Sequence, residues 1–378
     1  GAPSLVATPM ASARGARRPS ALLPNAASAR HLHKMKLPHF YDEYHGHTLD
    51  DLEVVANELP QGRSTIYLLG DLTLDNKYWI NSGRQPACNG YERLMKTSVP
   101  DVAYWMNREV ERRGLGDRFC CVNAAIEEST LGLRKDGLLP HDAFVQGKLR
   151  SEDVLVVSMG GNDIALRPTL WTIVSMVSLL ATPRWLIEMG IAPGLGHFVS
   201  LFRDSTAAYL KRMCGSRRPR LIVACMLYYL DMKPGGSWAE FNLEKLGYNK
   251  DPTKLQLIMR EVYKRGVSRI EVEGVPVASV AMYEALDGAD TRDYVQRVEP
   301  SSQGGEKLAR LIVGKMEEAL ADASASGGAS SAVAAATVAA ADAGGRRRAA
   351  SPAVVAMPSA VHLTRNAATT SEGTAGSN

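Results

Sequence analysis

The sequence predicts an α/β protein whose parallel sheet is covered by helices on both faces. Five short apolar runs recur along the chain, at Thr65–Leu69, Arg118–Val122, Val154–Ser158, Leu221–Met226 and Val275–Val280. They are continuously apolar rather than alternating, as strands buried on both faces must be. Helix-like stretches lie between them, the arrangement that gives a layered α/β domain.

Taken in order, the helical stretches have recognisable signals. Val99–Arg113 carries Pro100 at its start and apolar residues at helical spacing, and Ala207–Arg212 is a shorter stretch of the same kind. Pro252–Arg265 ("PTKLQLIMREVYKR") also opens with proline, and Gly304–Ala321 follows a Ser301/Ser302 cap. "LWTIVSMVSLLATP", residues 170 to 183, is uncharged but too short to span a bilayer. It reads as a core or partner-facing helix at the start of an apolar insertion, 170–202, with peripheral lipid contact as the lesser reading.

The chain has 378 residues, and its ends differ from its middle. Residues 1–41 hold Arg14, Arg17, Arg18, Arg30, Lys34 and Lys36 and no acid before Asp42. That composition matches a basic, transit-like or disordered tail. The chain opens at Gly1 rather than Met, so a processed or missing start is expected. Residues 322–378 are Ala-rich and of low complexity, with Arg346-Arg347-Arg348 before Ser351 read as a solvated basic cluster. One domain is expected over 42–321.

The formal net charge is +4, with much of the basic excess in the tails, so no nucleic-acid-binding stripe stands out. Cys88, Cys120, Cys121, Cys214 and Cys225 form no metal-ligand spacing. Their odd number fits buried thiols in a reducing compartment better than a disulfide framework.

In parallel sheets ligands sit beyond the carboxyl ends of the strands, so the residues there carry the functional signal. Gly70-Asp71-Leu72 follows the first strand, "NAAIEEST" (123–130) the second and "MGGNDIALRP" (159–168) the third; "RVEPSSQGGEKLA" (297–309) leads into the last helix. Together these four blocks resemble the SGNH (GDSL-type) hydrolase family over Ile66 to Leu311. The resemblance implies a flavodoxin-like three-layer fold and hydrolysis of esters, thioesters or acetylated sugars. It also implies a Gly-Asp-Ser nucleophile, an oxyanion hole built from a glycine N–H and an Asn side chain, and an Asp-x-x-His base.

Carried over by residue, Gly70 and Asp71 fit, but the nucleophile position is Leu72. Asn123 and Thr130 fit the second block, with the oxyanion glycine falling at Glu128. Gly160, Gly161, Asn162 and Asp163 all fit the third. In the last block Pro300, Ser301 and Gly304 fit, while the histidine falls at Glu299 and its aspartate at Gln296. Leucine cannot attack a carbonyl, and a glutamate with a reference pKa of roughly 4.3 is a weaker base than histidine at roughly 6.5. The expected relic pocket is therefore Asp71, Leu72, Glu128, Asn162, Asp163 and Glu299, with no intact catalytic set, no cofactor and no resident metal.

Other readings remain open at this level. Thr73 is a candidate displaced nucleophile, and His141 is a candidate relocated base or a helix-start histidine. Asp71, Glu128, Asp163 and Glu299 could surround a hard cation, or Arg134, Arg167 or Arg297 could neutralise some of them. Asp163 is expected to bind backbone beside the third strand, and Asp75-Asn76-Lys77 to start a helix. The leading expectation is a catalytically silent accessory or scaffold subunit of a large organellar complex, mitochondrial ahead of plastid. Its partners would be other protein subunits, met through the tails and residues 170–202. The alternatives are an acyl-ester hydrolase with a displaced nucleophile and a module whose cleft binds a small ligand.

Overall fold

The five apolar runs form one sheet, and every pairing in it is parallel. The strands are β1 (Ser64–Gly70), β2 (Phe119–Asn123), β3 (Val154–Ser158), β4 (Leu221–Met226) and β5 (Val277–Ala281). The computed structural model describes residues 37–345, with side chains through residue 323. Strand order is 2-1-3-4-5. This is the doubly wound flavodoxin-like order, whose reversal lies between β1 and β3 and opens a ligand position at their carboxyl ends.

Side chains alternate along each strand into two cores. Tyr67, Leu69, Val122, Leu155, Val157, Ile222 and Ala224 face one side. There they meet α1 (Leu49–Glu58), α3 (Pro140–Lys148), α8 (Thr206–Cys214) and α10 (Pro252–Arg265) through Leu52, Val145, Leu210 and Ile258. Ile66, Leu68, Cys121, Val154, Val156 and Val223 face the other side. Val102, Met106 and Val110 of α2 (Val102–Arg112) and Leu308, Ile312 and Met316 of α11 (Ser302–Gly345) cover them. The result is three layers, and burial of each large aliphatic side chain contributes about 1.5–3 kcal/mol.

Local chemistry sets the element ends. Asp101 caps α2 by accepting the Tyr104 N–H at 2.7 Å, so the helix begins after Pro100 rather than at Val99. Strand β5 starts at Val277 rather than Val275, because Val275 forms an isolated bridge with Val272. The last helix continues past Ala321 to Gly345, as alanine's helix preference favours. Leu37 and Phe40, assigned to the N-terminal tail by composition, are buried. The transit-like residues before them and the Arg346–Arg348 cluster with Ser351 lie outside the described residues.

Between β3 and β4 come α4 (Gly161–Ala165), then α5 (Leu170–Ala181), α6 (Arg184–Met189) and α7 (Leu195–Ser200). One short helix, α9 (Glu240–Lys245), precedes α10. Among the described residues no helix is long and apolar enough to cross a membrane. All five cysteines are buried free thiols.

Candidate functional site

The site is built where β1 and β3 end side by side. Gly70 pairs with Ser158 and has φ +140, and a Cβ there would lie 1.8 Å from the Ser158 carbonyl oxygen. Only glycine fits this turn. The next amide, Asp71 N–H, donates to that same oxygen at 3.2 Å. The Asp71 side chain turns inward and is 1 % exposed; its Oδ1 accepts from Thr73 N at 3.2 Å, and its Oδ2 has no hydrogen-bond partner. Burial pushes its pKa up to about 6, against the lowering effect of the Thr73 hydrogen bonds. Leu72 is half-buried and offers no polar atom. Thr73 is 2% exposed, which withdraws the candidate displaced nucleophile from solvent.

After β2, Asn123 fixes the chain: its Nδ2 donates to Leu74 O at 2.9 Å and its Oδ1 accepts from Ala125 N at 3.0 Å. Ile126 N and Ser129 Oγ then both donate to Gly70 O, at 3.0 and 2.8 Å. Glu128 has φ +59, the left-handed conformation that glycine adopts without strain. Its side chain is half-exposed and accepts from the Tyr44 hydroxyl at 3.3 Å. The inward carboxyl is its neighbour Glu127, which sequence reasoning passed over. Glu127 is 3 % exposed; its Oε1 lies 3.3 Å from Trp79 Nε1 and 3.5 Å from Tyr44 OH, and its Oε2 has no partner.

The third block opens at Gly160, where φ is +102 and a Cβ would lie 2.8 Å from the Phe202 ring. Asn162 is fully buried, and its Nδ2 donates to Ser129 O at 3.0 Å. Asp163 accepts the Leu131 and Gly132 amides at 2.8 and 2.9 Å, binding backbone and not a ligand. Burial raises its pKa nonetheless.

Glu299 sits in a two-residue antiparallel pair, Tyr294 opposite Pro300 and Val295 opposite Glu299. It is 0 % exposed, and neither carboxyl oxygen has a hydrogen-bond partner. Burial, and then Glu127, Asp71 and Asp75, hold its pKa well above the carboxylate range. Glu127 is raised in the same way, with burial first and Asp75 next. The neutral, protonated form is therefore favoured at both. Gln296, at the position aligned with the family's aspartate, is exposed and turns to Trp238 N at 3.2 Å, leaving Glu299 without an orienting partner.

A buried lysine, Lys77, enters this acidic region. Its Nζ lies 2.6 Å from Asp75 Oδ1, with both side chains 0 % exposed. Asp75 Oδ2 accepts Gly46 N at 2.7 Å and Glu127 N at 2.9 Å. Asn76, between them, accepts from Val102 N and donates to Pro300 O, each at 3.0 Å, tying α2 to the Glu299 segment. The stretch continues as a short 3-10 turn, Lys77–Trp79. Of the three arginines named as candidate neutralisers, Arg134 does act here: its charge works against the burial that raises Asp71 and Asp163, and its guanidinium donates to Ser129 Oγ at 2.9 Å and Gly70 O at 3.4 Å. It also pairs with Asp142 at 2.9 Å, whereas Arg297 pairs with Glu240 at 2.7 Å and Arg167 is exposed.

The cation reading is corrected, and of the two readings of His141 the helix-start one holds. Among the described residues no group of three or more His, Cys, Asp or Glu is placed to hold a metal ion, so Asp71, Glu128, Asp163 and Glu299 do not form a cation site. His141 is the second residue of α3, and its Nε2 lies 2.6 Å from His47 O, fastening the N-terminal segment. Cavities of about 20 and 10 Å³ are lined by residues such as Phe40, His47, Asp101 and Asn123 in one and Val157, Met159 and Phe202 in the other. Leu72 offers no attacking atom at the nucleophile position, and Glu299 stands fully buried at the base position.

No protein-family model and no curated protein matches the chain. Solved structures similar to it include an acetyl xylan esterase from Geobacillus stearothermophilus, at 14% identity over 68% of this chain and 96% of that one, with a TM-score of 0.37. A carbohydrate esterase family 3 protein from Talaromyces cellulolyticus shows 14% identity over 68% and 99%, with a TM-score of 0.37. A protein assigned as an SGNH hydrolase from Slackia heliotrinireducens shows 12% over 68% and 100%, with a TM-score of 0.34. The fold assignment rests on the strand order and the two-faced core; the chain is an α/β protein of flavodoxin-like topology that resembles SGNH hydrolases.

Proposed function

We propose that this chain is a catalytically silent relative of SGNH-type hydrolases and serves as an accessory or scaffold subunit of a large organellar assembly, mitochondrial ahead of plastid. The observation that carries the silent cleft is the pairing of Leu72 with a sealed Glu299. The nucleophile position has no attacking atom. The base position is a fully buried carboxyl whose surroundings favour its protonated form. Acyl transfer needs a nucleophile, a proton acceptor and donors aimed at the oxyanion, and losing any one removes most of the rate. With chemistry gone, the rigid three-layer body can act only through contacts.

An acyl-ester hydrolase using Thr73 is the competing reading, and it meets a side chain that is buried from solvent. The scaffold role is tested by blue-native electrophoresis of gently extracted organelles, with mass spectrometry of co-migrating chains. Migration far above the mass of one or two chains, with the same partners in replicate extractions, is the expected result. Migration as a monomer or dimer overturns the scaffold role.

A further inference from the structure

We propose that the apolar outer face of α5 and α6 is the surface through which two copies of this chain pair. The proposal shares with the reading above only the premise that this protein works through contacts, and it needs nothing from the cleft. On α5, Thr172, Ser175, Met176 and Leu179 face inward. Leu170, Trp171, Val174 and Val177 face outward, with Leu170 78% and Trp171 65% exposed. On α6, Ile187 is buried, while Trp185 and Met189, one turn apart, and the following Ile191 are exposed.

The face is held in place. Lys254 of α10 donates to Leu180 O at 2.6 Å, and Arg265 of α10 donates to Glu188 O at 2.9 Å. Arg184 reaches both Asp251 oxygens and Thr253 Oγ1 at 2.6 Å. Gly190, with φ +79, packs so closely that a Cβ would lie 2.4 Å from Arg265 Nε. A preorganised surface loses little freedom on association.

Size and charge select the occupant. Seven large apolar side chains, two of them tryptophans, stand 47–78% exposed between residues 170 and 191, where a stable interface buries roughly 800 Å² per partner and large aromatics bury about 150–250 Å² each. Between Pro168 and Phe202 the formal charges are Arg184 and Glu188, and Arg184 is paired with Asp251. The outward side chains themselves carry no charge, and with Arg184 paired to Asp251 the one remaining acid is Glu188, so the face meets its own copy with little like-charge repulsion, as a twofold contact requires. It offers no cluster of cations to anionic lipid headgroups.

The test is sedimentation equilibrium of the full chain over a range of concentrations. The expected mass is twice the 40.9 kDa of one chain. Val174→Asp places two carboxylates across the pairing face and should weaken association at least tenfold with an unchanged melting temperature. Trp185→Ala serves as a second, milder variant. Phe241→Asp, at an exposed apolar residue on α9, should pair like wild type. A single-chain mass throughout, or undiminished pairing of Val174→Asp, overturns the proposal. So does a monomer that binds phosphatidylcholine vesicles through Trp171, which would give the face to lipid. None of these outcomes bears on ester turnover or on co-migration with other chains, so failure here is distinct from failure of the silent-scaffold reading.

Discussion

Asn162 Nδ2 donates to the Ser129 carbonyl at 3.0 Å, while its Oδ1 has no hydrogen-bond partner. The residue that the resemblance assigns to an oxyanion hole thus joins the loop after β3 to the loop after β2 through one of its two amide N–H groups. It is fully buried, so its amide works as an internal strut. Asn162→Asp replaces the donor with an acceptor facing the carbonyl. The expected cost is about 1–3 kcal/mol of stability, read from urea unfolding at neutral pH. A cost near zero would show that the strut is not made.

Lys77 and Asp75 form a fully buried ion pair. Lys77→Met leaves the Asp75 carboxylate buried beside Glu127 and should destabilise by about 3–5 kcal/mol. The double variant Lys77→Met/Asp75→Asn should recover part of that loss, because the uncompensated charge is gone. A double-mutant cycle by denaturant unfolding checks this, and additive losses would contradict it.

The buried acids make stability depend on pH in a defined direction. Asp71 has a folded pKa of about 6, above its unfolded value of roughly 3.9. The native state therefore binds more protons between those values, and stability falls as pH rises through them. Asp101, raised by burial to about 7, adds a loss of the same sign further up the scale. Asp71→Asn should remove about 3 kcal/mol of the decline between acidic and neutral pH and leave the shares of Asp101 and the other raised carboxyls. Unfolding curves at stepped pH values test it, and an unchanged slope would show that Asp71 is not shifted.

Leu72→Ser restores a hydroxyl at the turn, while the histidine position remains Glu299 and the oxyanion-glycine position Glu128. Ester turnover in this variant should stay at the wild-type background. Turnover well above background would mean that Glu299 or another group accepts the proton, and that the placement of the last block is mistaken.

Much of the fold is legible in the chain because its strands are uniformly apolar. Val154–Ser158 and Leu221–Met226 coincide with the runs read from the sequence, and β5 is displaced only because Val275 is drawn into a bridge with Val272. The site is less legible. Glu127 and Glu128 are adjacent and chemically alike, and only the left-handed backbone at Glu128 decides which carboxyl turns inward. Tyr44 and His141 contribute through contacts 84 and 94 residues away in sequence, to Glu128 and His47 O, and no local pattern encodes these. The adjacent carboxyls were the one available signal that this loop carries a buried charge. The apolar insertion was visible as an uncharged run, but which side of α5 it buries is set by packing on α7 and α10.

The central claim is that the cleft does no acyl chemistry. Its most direct test is hydrolysis of short acyl esters by the purified wild-type chain, beside a heat-denatured control, with labelling by a serine-directed fluorophosphonate. The account predicts background turnover and no stoichiometric label. Turnover above the control, with a label that disappears in Thr73→Ala, would contradict it and make this protein a working hydrolase.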